Sequence, residues 1–240
     1  MTPEELVDQL QRALGDKLRS AVLYGSAAAG DFVPGTSNYN VLLVVDRLGL
    51  EELNAVTKPV SQWTREGHRP PLLFTPGQWE ASADVFPIEL CDMRQSRRVL
   101  LGDDPLDSLD IDHEHLRLQL ERELKAKLLA LREAYLLTGG RPKQVIRLMV
   151  STLAGFLVLM RAALRLFRED VPTVKMGAMR QLTEHILFDP RPLVEIHELK
   201  HRRRSPREVD AQALFDAYLK TIEHVAEAVG RHLHPQTGGD

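Results

Sequence analysis

The chain has 240 residues, 43% of them hydrophobic and 27% charged, with 31 Lys plus Arg against 34 Asp plus Glu and a formal net charge of −3. That near balance excludes a protein built mainly to coat nucleic acid or anionic lipid, and the length lets one large domain or two small ones bury a core without disulfide or metal staples. The one cysteine, Cys91, cannot form an internal disulfide, which fits a reducing compartment and the role of a buried apolar residue.

The first ten residues, MTPEELVDQL, are acidic rather than basic and lack an apolar signal core, so a cytoplasmic protein is expected. Thr2-Pro3-Glu4-Glu5 predicts a helix start, with Thr2 as N-cap, Pro3 at the first helical position and Leu6, Leu10 and Leu14 as an apolar stripe that Gly15 ends. Residues 19–24 form a β-prone run closed by Gly25-Ser26, and Ala27 to Ala29 open a short helix. Asp31 to Ser37 is a turn-rich loop. Asn38 to Val45 then predicts a central strand covered on both faces. A helix over residues 50–66, despite Pro59, and strands at 71–75 and 88–93 complete a small mixed sheet.

Composition shifts near residue 110, from β-rich runs to Leu- and Ala-rich helices. Leu116, Leu120, Leu124, Leu128 and Leu131 place a helix over 113–137, ended by Gly139-Gly140 before Pro142 opens another that runs to Phe167. Within it, the apolar run from Leu148 to Met160 is 13 residues long, too short for a bilayer, and reads as a buried helix. Shorter helices at 174–188 and 192–201 are bounded by prolines, and a final amphipathic helix covers 206–232.

The segment richest in chemical information is residues 22–45, VLYGSAAAGDFVPGTSNYNVLLVV. Gly25 lets backbone approach a ligand closely, and Ser26 offers a hydroxyl beside free amides, although Gly-Ser alone more often marks a capped strand-to-helix turn. An apolar strand, Gly25-Ser26, a short helix, then Ser37-Asn38-Tyr39-Asn40 entering a second apolar strand resembles the signature of the nucleotidyltransferase superfamily, which includes DNA polymerase β-like and aminoglycoside nucleotidyltransferases. Asn38 and Asn40 stand where that signature has two metal-binding aspartates. Pro87-Ile88-Glu89-Leu90 best matches the family's third carboxylate, on a later strand. Asp92 is a weaker candidate, because three residues along a strand reverse the face.

The resemblance implies an α+β protein: a nucleotidyltransferase-like mixed-sheet domain over residues 1–110 and a C-terminal helical bundle over 111–240. It implies transfer of a nucleoside monophosphate from an NTP to a hydroxyl acceptor. Gly25, Ser26 and Ser37 would bind the nucleotide, residues 38 and 40 would hold Mg²⁺, and Glu89 would assist metal binding or accept a proton. Side chains at i and i+2 of a strand face one way, so Asn38 and Asn40 would keep the shape of the aspartate pair and lose its two charges. Catalysis is therefore expected to be weak or lost, leaving a degenerate site of Asn38, Asn40 and Glu89 with Mg²⁺ and NTP as the groups it would take. The alternative is a non-catalytic module whose helical half binds a partner.

Other signals are weaker. Arg202-Arg203-Arg204, with Lys200, His201 and Arg207, is the dense basic run; it reads as a solvated loop, and with little aromatic content near it a nucleic-acid partner is not expected. Arg180 and His185, or Arg191 and His197, have the loose spacing of helical ribonuclease motifs, a pattern that arises easily by chance. The nine histidines show no zinc-site grouping. A nucleotide, a protein partner or a second copy are the compatible partners; a membrane is not.

Overall fold

The computed structural model describes residues 1–25, 27–28 and 38–231, and the chain divides into two compact units, Met1–Asp112 and the part from His113 onward. The first begins with α1 (Pro3–Leu14), whose capping box is complete: the Glu5 amide donates to Thr2 Oγ1 at 3.2 Å and the Thr2 amide to Glu5 Oε2 at 2.8 Å. Such a box is worth roughly 1 kcal/mol and fixes where the helix starts. β1 (Leu18–Tyr24) and β2 (Asn40–Val45) follow, then α2 (Leu50–Arg65), β3 (Leu72–Phe74), α3 (Pro76–Glu80), α4 (Pro87–Gln95) and β4 (Arg97–Gly102). The strands form one sheet in the order β3-β2-β1-β4, with β1 antiparallel to both neighbours and β2 parallel to β3.

The period-2 pattern divides the two central strands between two cores. Ala21, Leu23, Val41, Leu43 and Val45 pack with Leu6, Leu10 and Leu14 of α1 and with Val56 and Trp63 of α2. Val22, Leu42 and Val44 face the other way, onto Trp79 of α3, Leu90 and Met93 of α4, and Leu106 and Leu109. The apolar run LLVV is thus covered on both faces, as its composition predicts.

The expected strand at 88–93 is a helix. Pro87 occupies its first turn, where the missing N–H costs nothing, and Leu90 and Met93 at i, i+3 supply the buried stripe. The alternation of Ile88 and Leu90 fits a strand as well as a helix, because two apolar residues cannot separate the two periods. The fourth strand comes later, at β4, where Tyr24 pairs with Arg97 and Val22 with Val99.

β4 ends at Gly102 (φ 68°), which lies so near β1 that a Cβ there would meet the Arg19 carbonyl oxygen at 1.9 Å. Residues 103–111 then cross the second face. Two arginines strap this segment down. Arg94 Nη2 donates to the Leu106 carbonyl at 3.2 Å and to that of Leu109, while Arg97 bonds Asp104 Oδ2 and Asp107 Oδ1, each at 2.5 Å. Ser20 Oγ donates to the Asp103 carbonyl at 2.8 Å, so Asp103 and Asp104 serve the strap.

The regular elements of the second unit, among the described residues, are helices: α5 (His113–Thr138), α6 (Pro142–Leu164), α7 (Lys175–Leu182), α8 (Arg191–Lys200) and α9 (Ala211–Arg231), with a short 3-10 turn before α9. α6 is its centre, packed against α5, α7, α8 and α9, with Phe156 edge-on to Tyr218 at 5.9 Å. Its 23 residues include a window of mean hydropathy 1.8, long and apolar enough by composition alone to cross a membrane, as core helices also are, and half of that window is buried inside the protein, as expected of a buried helix. The final helix is shorter than expected: a 3-10 turn at Pro206–Glu208 precedes α9, because Asp210 Oδ1 caps the amides of Gln212 and Ala213. Helices α6 and α7 likewise stop at Leu164 and Leu182, short of residues 167 and 188.

Candidate functional site

The described parts on either side of the segment that carries the resemblance meet where β1 ends and β2 begins. β1 ends at Tyr24, whose partner in β2 is Asn40, and Gly25 leaves the ladder with φ 81°, a conformation open to glycine and costly to other residues. Its N–H donates to the Ser96 carbonyl at 2.9 Å, and its own carbonyl accepts from Ala28 N–H at 3.0 Å, so the strand closes in a turn. A Cβ on Gly25 would stand 3.1 Å from Asn40 Nδ2. Glycine therefore does two things here: it takes the positive φ and it leaves room for the amide of Asn40.

Asn40 is half-buried and shares the face of Leu42 and Val44, the face covered by α4. Asn38 is exposed and precedes β2, which starts at Asn40. β2 therefore begins two residues later than the expected start at Asn38, because its last pair with β1 is Tyr24 with Asn40. Ser26 and Ser37 lie outside the described residues, as does the loop before Asn38.

Glu89 is exposed in the first turn of α4 rather than on a strand. This changes its relation to Asp92, because residues three apart share a helix face. The two carboxylates flank the same side of α4, next to the Leu90–Met93 stripe that packs against the sheet.

An aromatic group braces the other side of β2's first turn of chain. Tyr39 lies 5.9 Å from Trp63 and 4.9 Å from His68, and His68 lies 4.2 Å from Trp63. Trp63 is fully buried, with Nε1 donating to the Arg69 carbonyl at 2.8 Å. Burial lowers the pKa of His68, whose Nδ1 is enclosed without a hydrogen-bond partner. Burial raises that of Tyr24, against a smaller opposing effect of the Arg69 guanidinium. Sequence reasoning did not find these residues; the Gly67-His68-Arg69-Pro70 turn was the available signal.

The Mg²⁺ that the sequence resemblance implies finds few matching donors among the described residues. Asn40 offers a neutral amide, and among the described residues no group of three or more His, Cys, Asp or Glu side chains could hold a metal. No step through a metal follows from this donor set.

No protein-family model and no curated protein matches the chain. Among solved structures it is similar to the spectinomycin adenyltransferase AAD(9) from Enterococcus faecialis, determined with ATP and spectinomycin, with a TM-score of 0.53 and 13% identity over 95% of this chain and 100% of that one. The chain has a nucleotidyltransferase-like α+β fold with a C-terminal helical region.

Proposed function

We propose that this chain is a nucleotidyltransferase-like protein in which transfer of a nucleoside monophosphate to a hydroxyl is weak or lost, while a nucleotide site persists at the end of β1. The observation that supports this most is the Asn40 amide seated 3.1 Å from the Cβ position of Gly25. Such a turn suits a phosphate, since glycine admits close backbone approach. Asn38 and Asn40 would stand for the aspartates of an active relative, and Glu89, with Asp92 beside it on α4, would supply the remaining negative charge. Without an acidic pair, divalent ions would be held by the nucleotide's phosphates more than by the protein.

The solved neighbour's ATP makes ATP the first nucleotide to test. In a thermal-shift screen of the four NTPs, with and without Mg²⁺ or Mn²⁺, at least one NTP is expected to raise Tm with little dependence on the metal, since a ligand that binds only the folded state stabilises it. Asn38→Asp combined with Asn40→Asp should introduce Mg²⁺ dependence. No shift at millimolar NTP in either protein overturns the reading. That result would favour the second one, a non-catalytic interaction module, for which exposed Leu129, Leu136 and Leu137 on α5 offer an apolar surface for a protein partner or second copy.

A further inference from the structure

The basic run at the end of α8 is more than a charged loop once its geometry is laid out. His201 caps the helix, and the chain leaves it in a complete Schellman motif: Arg202 N–H donates to the Leu199 carbonyl at 3.2 Å and Arg203 N–H to that of Glu198 at 2.9 Å. The position after the cap takes φ 56°, the left-handed conformation in which glycine is the common residue. Here it is Arg202, which among the described residues is the one non-glycine residue with positive φ. An arginine held where glycine would be more stable suggests that its guanidinium is used.

Around it the fold gathers further cations from separate segments. The His197 and His201 rings lie 4.4 Å apart at 46°. Burial lowers the pKa of His197, and the charges of His201, Arg203, Lys200 and, from α7, Arg180 lower it further, so positive charge from two helices acts on this end of α8. Arg180, Lys200, Arg202 and Arg203 are all exposed. Among the described residues none of the four is in an ion pair; the nearby Glu195 is occupied by Arg204 at 3.3 Å.

We infer that this end of α8, with Arg180, is a binding surface for the sugar–phosphate backbone of single-stranded RNA. Three guanidiniums offer planar, bidentate donors to phosphate oxygens, one ammonium adds a point charge, and guanidinium and imidazole planes can also lie against unstacked bases. The surface lies wholly within the helical unit and does not depend on the nucleotide site of the first.

Fluorescence anisotropy of the full chain with a labelled single-stranded RNA tests this. About four neutralised phosphates predict a slope of log affinity against log salt near −3. Arg180→Glu with Arg203→Glu should weaken binding by about tenfold or more while leaving the NTP thermal shift of the same protein unchanged. Arg202→Gly should raise Tm yet weaken RNA binding, a split that a purely structural role would not produce. Equal RNA affinity in wild type and the double variant, a flat salt dependence, or equal binding of a poly-glutamate peptide or phosphatidylglycerol vesicles each overturns the assignment.

Discussion

Two groups of arginines in this molecule have opposite fates. Arg94 and Arg97 are turned inward: their donors go to the carbonyls of Arg94, Leu106 and Leu109 and to the carboxylates of Asp104 and Asp107, and they fasten residues 103–111 to the sheet. Arg180, Arg202 and Arg203 share neither kind of partner through their side chains among the described residues, and one of them sits in a backbone conformation that disfavours it. The same side chain thus does architectural work where its donors are satisfied internally and is left for a partner where they are not. Net charge hides this division, because both groups enter the total of −3 alike.

Stability measurements can break the comparison. The largest effect is expected at Arg97→Ala, which strands Asp104, whose side chain is 16% exposed, and frees the strap. Partial exposure of Arg97 moderates the penalty to about 2–3 kcal/mol in chemical denaturation. A loss under 0.5 kcal/mol, of the size ordinary for a surface change, would erase the distinction.

Glu52 extends the satisfied class to a carboxylate. It accepts from Lys17 Nζ and from the Gly49 amide, both at 2.9 Å, and these bonds, that of Lys17 first, hold its pKa down at about 2 against an ordinary 4.5. Because the folded value is depressed, its stabilisation is complete above about pH 4.5 and fades as pH falls toward 2. Glu52→Gln should lower stability at neutral pH and flatten its dependence over that window, read from urea midpoints at successive pH values.

The two smallest effects lie on the other side of the comparison. Arg202→Gly relieves the left-handed residue and should gain roughly 1 kcal/mol. Arg180→Ala and Arg203→Ala should each change stability by less than about 0.5 kcal/mol, since their side chains hold nothing in place. A larger loss at either would show a structural partner.

How much of this was legible in the sequence depended on how local the determinant is. The start of α1 was readable because Thr2, Pro3 and Glu5 close their own box within four residues. The two-sided burial of β2 was readable from four consecutive apolar residues. The helix at 87–95 was not, because its stripe has only two buried members after Ile88 and depends on packing against Val22, Leu42 and Val44. β4 escaped notice because it opens on two arginines, whose partners at Asp104, Asp107 and Glu4 are set by tertiary structure. At the candidate site, the closeness of Gly25 and Asn40 follows from the pairing of β1 with β2, which residue spacing suggests but does not fix. The place of Glu89 required knowing that its element is a helix.

Gly102 imposes a limit on how this sequence can drift. Where β4 hands over to the strap, the backbones of Gly102 and Arg19 leave no volume for even a methyl group, since the nearest obstacle is a main-chain oxygen that no rotamer change can move aside. Lineages could exchange the ionic fasteners one at a time and survive each step, yet any side chain at this hinge would wedge the edge strand outward and uncover the second core at once. The smallest residue in the domain is thus its least replaceable neighbour to the strap, and a census of tolerated substitutions should show a gap there.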